Sequence, residues 1–191
     1  VWRRVDIWWS DERYVPRAHR EGNERQASEA LLDALDLDPT RVHPMPAADG
    51  PDGPDVDAAA ARYAALLAEA APGGALVPTF DVLLLGLGAE GHIASIFPES
   101  PAAHDDRPVV GVHGCPKPPP NRLTMGFASL CAARAVWFLV AGQDKAGAVA
   151  MSLAAAGRVQ VPAAGAIGRH ETLWLIDEAA ASALPKGLRR R

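Results

Sequence analysis

Apolar positions in this chain follow two rhythms. Short runs at Val5–Trp9, Phe80–Leu85, Val109–His113, Ala135–Ala141 and Thr172–Ile176 are dense in β-branched, aromatic and aliphatic side chains and read as strands. Between them the spacing turns helical. Ala27, Ala30, Leu31, Ala34 and Leu35 fall on one face behind Asn23, which can cap that helix with Gln26 as its capping-box partner. Asp57–Ala71 predicts a second helix with Tyr63, Leu66, Leu67 and Ala70 buried, stopped by Pro72-Gly73-Gly74. Ala146–Ala156 and Asp177–Leu184 predict two more. Strands alternating with helices predict an α/β fold: three layers, α/β/α, around a mostly parallel, doubly wound, Rossmann-like sheet, with residues 1–191 as one domain. Phe80–Leu85 is expected to be buried on both faces, as in parallel sheets.

That central strand runs into the stretch Gly86–Pro98, GLGAEGHIASIFP. Gly86, Gly88 and Gly91 predict a tight turn with exposed amides at the strand's C-terminal end, where open α/β sheets bind ligands. The spacing is also GxGxxG, the dinucleotide fingerprint. Two features oppose that reading. Pro98 cuts short any helix opened at Gly91, and Asp105 and Asp106 precede a strand-like run where the fingerprint wants an acid at a strand's end. His92, at the mouth of the turn, is the candidate base, because imidazole accepts a proton near neutral pH. Glu90 is placed to orient the ring or stabilise its charged form.

A covalent nucleophile is not evident. Ser95 lacks a GxSxG elbow, neither Cys115 nor Cys131 sits beside a histidine in sequence, and HExxH is absent. A base acting directly on water is therefore the economical reading of His92, with Arg13 or glycine-turn amides as donors for developing negative charge. Arg122 suits bidentate contact with phosphate, and Lys145 places a charge where a helix starts. No metal and no cofactor are expected.

Composition narrows the partners. With 49% hydrophobic and 22% charged residues the 191-residue chain is ordinary for a globular protein. A net charge of −4 argues against nucleic acid or an anionic membrane surface. The basic end, Lys186 to Arg191, is expected to fray. Two cysteines without CxxC suit a reducing cytoplasm. The expected partner is a small molecule, and a monomer is favoured over an oligomer.

GLGAEGHIASIFP resembles the GxGxDGHxASLFP signature of 6-phosphogluconolactonases. SDERYVP at Ser10–Pro16, NRLT at Asn121–Thr124, GQDK at Gly142–Lys145, and VPAAGAI followed by LWLID agree with it in order. The resemblance covers nearly the whole chain and implies hydrolysis of 6-phospho-D-glucono-1,5-lactone in the pentose phosphate pathway. It implies His92 as base assisted by Glu90 and Arg13. Substrate contacts are expected from Asp11, Glu12, Asn23, the glycines at 86, 88 and 91, and the phosphate-binding Arg122 and Lys145. Two departures stand out. Glu90 replaces the family's usual Asp. Family members also begin with a strand and a phosphate-gripping glycine/serine or threonine loop well ahead of the DER segment, so this chain, starting at Val1, is expected to lack that part. The alternatives are a sugar-phosphate sensor or inactive relative, and an amino-sugar-phosphate deaminase/isomerase. The deaminases carry an acid just before the proline of GHIAFNEP, where this chain has Phe97.

Overall fold

Alternation decides how the central strands are used. In the computed structural model, which describes residues 1–185 and Gly187, β4 (Val82–Leu85), β7 (Ala135–Val140) and β8 (Glu171–Ile176) form a parallel sheet in the order β4-β7-β8. Along β7, Val136, Phe138 and Val140 point into the core, and Phe138 stacks on Trp174 of β8 with ring centroids 4.0 Å apart. The opposite face is wet. Val82, Leu84, Leu139, Leu173 and Leu175 are all exposed, Leu84 by 58%. Burial of β4 on both faces is therefore not observed. An unbroken apolar run hides which of its residues alternate outward, since side chains on a strand switch faces at every step.

Two further sheets complete the α/β fold. β1 (Ile7–Trp8) pairs in parallel with β3 (Val42–His43). β2 (Asp11–Arg13), β6 (Arg122–Met125) and β5 (Val109–Val112) form an antiparallel sheet in the order β2-β6-β5, which lies outside the doubly wound expectation. Its middle strand β6 is buried throughout, Arg122 included. The DER triplet, which falls outside the strand-like runs of the sequence, is itself strand β2.

α2 (Val56–Ala70) begins where Asp55 accepts a hydrogen bond from the Ala58 amide, and buries Val56, Ala59, Ala60, Tyr63 and Leu67. Leu66, expected on that face, is exposed. Tyr63 carries the packing across to the first pair of strands. Its hydroxyl accepts from the Trp9 amide at 3.0 Å and donates to the His43 carbonyl at 3.1 Å. Burial raises its pKa. The short helix α3 (Phe127–Leu130) follows β6, and α4 (Ala146–Leu153) ends three residues earlier than expected. Residues 178–183 form turns rather than the expected closing helix; Asp177 holds them by accepting from the Ala180 amide at 2.7 Å. Lys186 and residues 188–191, the greater part of the basic end, lie outside the described residues. Among the described residues no helix is long and apolar enough to cross a membrane.

α1 (Asn23–Ala30) departs from expectation in an informative way. Gly22 occupies the cap position and Asn23 is the first helical residue; no side chain of the helix's own sequence caps it. The cap comes from β2. Glu12 accepts from the amides of Asn23 at 2.6 Å and Glu24 at 2.8 Å, and also from the Arg13 amide at 2.7 Å. A carboxylate at a helix N-terminus satisfies amides that have no partner within the helix. Glu12 is 5% exposed, and its removal leaves three half-buried amides without their acceptor. Glu12→Ala is expected to lower unfolding stability by about 1–3 kcal/mol, read from urea melts. An unchanged midpoint overturns the capping role.

Candidate active site

The segment after β4 contains no helix. Residues 86–98 form turns with one isolated Ile93–Ile96 bridge, so the dinucleotide reading of the glycines has no structural support. The turn instead exists to place one imidazole. The Gly88 amide donates to the His92 carbonyl at 2.9 Å, and the Gly91 amide donates to the Gly88 carbonyl at 2.9 Å. Both amides are thereby used inside the turn, and neither remains to stabilise an oxyanion as expected. Gly88 has a steric reason to be glycine: a Cβ there would lie 1.8 Å from His92 Nδ1 and 2.6 Å from Glu90 Oε2. Gly91 has φ +93° and its Cβ would meet Val161. Gly86 faces open space.

His92 lies flat on Phe97, ring centroids 4.4 Å apart. Its side chain is 19% exposed, yet Nδ1 is sealed from solvent, which leaves Nε2 as the nitrogen a water molecule can reach. Glu90 Oε2 stands 3.2 Å from Nδ1. That is ion-pair distance but outside hydrogen-bond geometry, and Nδ1 has no hydrogen-bond partner among the described residues. The contact is therefore electrostatic. The other Glu90 oxygen is 2.8 Å from Lys117 Nζ. Burial alone would raise the Glu90 carboxyl; Lys117, the residue's own amide and His92 overcome it and hold the pKa at about 2. For His92, burial pushes the pKa below its usual 6.5, Glu90 pulls the other way, and Lys117 reinforces the lowering.

The antiparallel sheet supplies the facing groups. Asp11 accepts from Ser95 Oγ at 2.7 Å, and Asn23 Nδ2 donates to both its carbonyl, at 3.0 Å, and its carboxyl, at 3.3 Å. Although Asp11 keeps some exposed surface, its carboxyl is deep. Burial raises its pKa against the opposing pull of Ser95, Arg122, Arg13 and His92. Arg13 is held by Asn23 Oδ1 and by the Glu21 carbonyl. Asn23 thus joins Asp11 to Arg13, a task the capping assignment concealed. Glu12 is next to this cluster but spends its carboxylate on amides, so the geometry gives it a supporting task rather than contact with a ligand. Burial raises its pKa against those same amides.

Two predicted phosphate contacts sit differently from expectation. Arg122 is 5% exposed and donates Nε to the Pro119 carbonyl and Nη2 to the Lys117 and Pro118 carbonyls. It clips the proline-rich connector 116–120 and lies 5.9 Å from the Phe97 centroid. Lys145 ends the short 3-10 turn Gln143–Lys145 that follows β7 and is paired with its neighbour Asp144 at 3.1 Å. Among the described residues no hydrogen bond or ion pair joins it to the His92 cluster. Lys117, Ser95 and Phe97 were not singled out as site residues by the sequence. Only the lysine inside a stiff proline run, just ahead of Arg122, hinted at one of them.

Fold and cluster define a class: an α/β protein whose titratable groups converge at the carboxyl end of a parallel strand, the ligand-binding edge of such sheets. The family model described as glucosamine-6-phosphate isomerases/6-phosphogluconolactonase matches residues 1–174, and the chain belongs to that family. It is 57% identical to the 6-phosphogluconolactonase of Streptomyces coelicolor over 98% of this chain and 73% of that one. The 6-phosphogluconolactonase of Mycobacterium tuberculosis is 51% identical over 96% of this chain and 75% of its own. The crystal structure of 6-phosphogluconolactonase from Thermotoga maritima superposes with a TM-score of 0.78 at 27% identity, covering 92% of this chain and 73% of that one.

Proposed function

We propose that this chain hydrolyses 6-phospho-D-glucono-1,5-lactone to 6-phospho-D-gluconate, a step of the pentose phosphate pathway, with His92 as the base. Relatives named 6-phosphogluconolactonase at 50–57% identity support the activity. The observation that carries the site is the imidazole fixed between Phe97 and the Glu90–Lys117 pair with Nε2 left accessible.

In this reading His92 Nε2 removes a proton from water as the water oxygen bonds to the lactone carbonyl carbon. The electron pair of the carbonyl moves to its oxygen, and Arg13 supplies positive charge there. Collapse of the tetrahedral intermediate breaks the ring C–O bond, and the proton held on His92 passes to the departing ring oxygen. The product acid then ionises. Glu90 stabilises the imidazolium formed between the two transfers. Lys145, on the same sheet edge, faces the phosphate, and Arg122 adds a fixed charge behind Phe97. A cytoplasmic setting belongs to this reading and rests on the two free cysteines. Against the deaminase alternative, the position that family gives to an acid is filled here by the ring stacked on His92.

The pH profile tests the base. A base works deprotonated, and burial lowers the His92 pKa from its usual 6.5, so the working form is gained at lower pH than for a free imidazole. With spontaneous opening subtracted, kcat/KM is expected to climb along an acid limb centred below pH 6.5 and to level off above it. A limb centred at or above 6.5 excludes the buried imidazole as the titrating group. Ammonia release from glucosamine 6-phosphate, or lactone binding without turnover, would reverse the assignment of activity.

A further inference from the structure

We infer that Lys117 is a positioning residue of the catalytic base, holding Glu90 so that its second oxygen stays at Nδ1 of His92; this rests on the reading of His92 as the base. Glu90 sits at the tip of a turn, with its side chain 36% exposed. A glutamate so placed has three side-chain torsions to fix and water to compete with. The Lys117 ammonium removes that freedom by taking Oε1 at 2.8 Å, which leaves Oε2 beside the ring at 3.2 Å. Lys117 reaches His92 by a second route as well: its Nζ is 5.9 Å from the centroid of Phe97, the ring on which the imidazole lies.

The lysine can act as an anchor because its own backbone is anchored. Arg122, buried in β6, takes the carbonyls of Lys117, Pro118 and Pro119, three successive acceptors. Proline at 116, 118, 119 and 120 restricts the same segment. Order thus runs from a buried guanidinium through a stiff connector to an ammonium, then to a carboxylate, then to the imidazole. Arg122 serves that chain directly, which accounts for its inward-committed donors.

The charged groups around His92 come from three stretches: Glu90 from its own turn, Lys117 from the connector, and Asp11 from β2 with Arg13 beside it. Glu90 and Asp11 favour the imidazolium; Lys117 and burial oppose it. Removing Lys117 deletes one opposing charge and leaves the imidazolium as Glu90's nearest cation. Both changes strengthen proton binding at His92.

The test is Lys117→Met with Lys117→Arg as the conservative variant, each checked for fold by circular dichroism. Lys117→Met is expected to lower kcat about 10- to 100-fold through loss of alignment, with KM changed less. The acid limb is expected to shift to higher pH, and the His92 imidazole, titrated by NMR in the absence of substrate, to shift the same way. Lys117→Arg is expected to restore the limb and most of kcat. Glu90→Gln is expected to shift the limb to lower pH, and in the Lys117→Met background to cost little more, since the two act as a unit. A raised KM with limb and NMR titration unmoved overturns the inference and makes Lys117 a phosphate contact. No change in any of the three also overturns it. A shifted NMR titration with an unmoved kinetic limb upholds the Lys117–His92 coupling and removes His92 from the role of base.

Discussion

His92→Ala is expected to lower kcat/KM for the phosphorylated lactone by about 10²–10⁴-fold, the usual contribution of a positioned base. The loss should fall on kcat. Neutral imidazole on an aromatic ring contributes little to holding a phosphate, whereas its accessible Nε2 is suited to accept a proton near neutral pH. Acid release in weakly buffered solution measures it, with spontaneous opening subtracted. A rate equal to that of the unaltered protein would show that water is activated elsewhere. His92→Gln separates shape from basicity: it fills much of the same space against Phe97 and cannot accept the proton, so it is expected to be as impaired as alanine.

Gly88→Ala is expected to do nearly as much damage without touching a titratable group. The added methyl would overlap Nδ1 at 1.8 Å and Cε1 at 2.2 Å, and would crowd Glu90 Oε2. Atoms cannot share that space, so the ring must leave its seat on Phe97. We expect a loss of about 10²-fold or more, the scale on which an ångström of misplacement matters. The melting temperature should fall as well, because Leu87, Ile93, Ile96 and Phe97 of this stretch belong to the core, so activity is compared per folded protein at a temperature well below the transition. Gly157→Ala is the control, as nothing lies within 4 Å of its added Cβ. If Gly88→Ala retains full activity, the imidazole of the working enzyme does not occupy the position seen here.

These two residues mark how far the sequence could be read. The apolar run, the breakers around it and the histidine beyond the glycines placed His92 at a strand end, because each of those signals is local. The purpose of Gly88 was misjudged: glycine suggested amides offered to a ligand, whereas its amide closes the turn and its missing side chain makes room for the ring. Glu12 and Asn23 were misread for a related reason. A capping box is a short-range pattern, and it competed with a carboxylate arriving from another strand, which no spacing rule encodes. Arg122 read as a phosphate ligand because arginine chemistry permits it; its burial and its three carbonyl partners became visible only in the fold. The place of Lys117 in the proline run was the one hint of it; its role was hidden, since its pairing with Glu90 depends on how the connector after β5 passes the turn after β4. The antiparallel sheet was hidden likewise, in that strands of three or four residues carry too few positions to reveal their direction.

The site straddles a seam. His92, Glu90 and Phe97 lie in the turns that follow β4 of the parallel sheet, while Asp11, Arg13 and Arg122 belong to the antiparallel one. Ser95 fastens the two, through its hydroxyl to Asp11 and its amide to Thr124. The glycine–histidine stretch is therefore not a transferable cassette. Grafted onto another scaffold it would bring a ring and a carboxylate but leave behind the ammonium that steadies them and the acid that clasps Ser95. Anyone redesigning this centre for a different cyclic ester must treat both sheets as a single engineering unit.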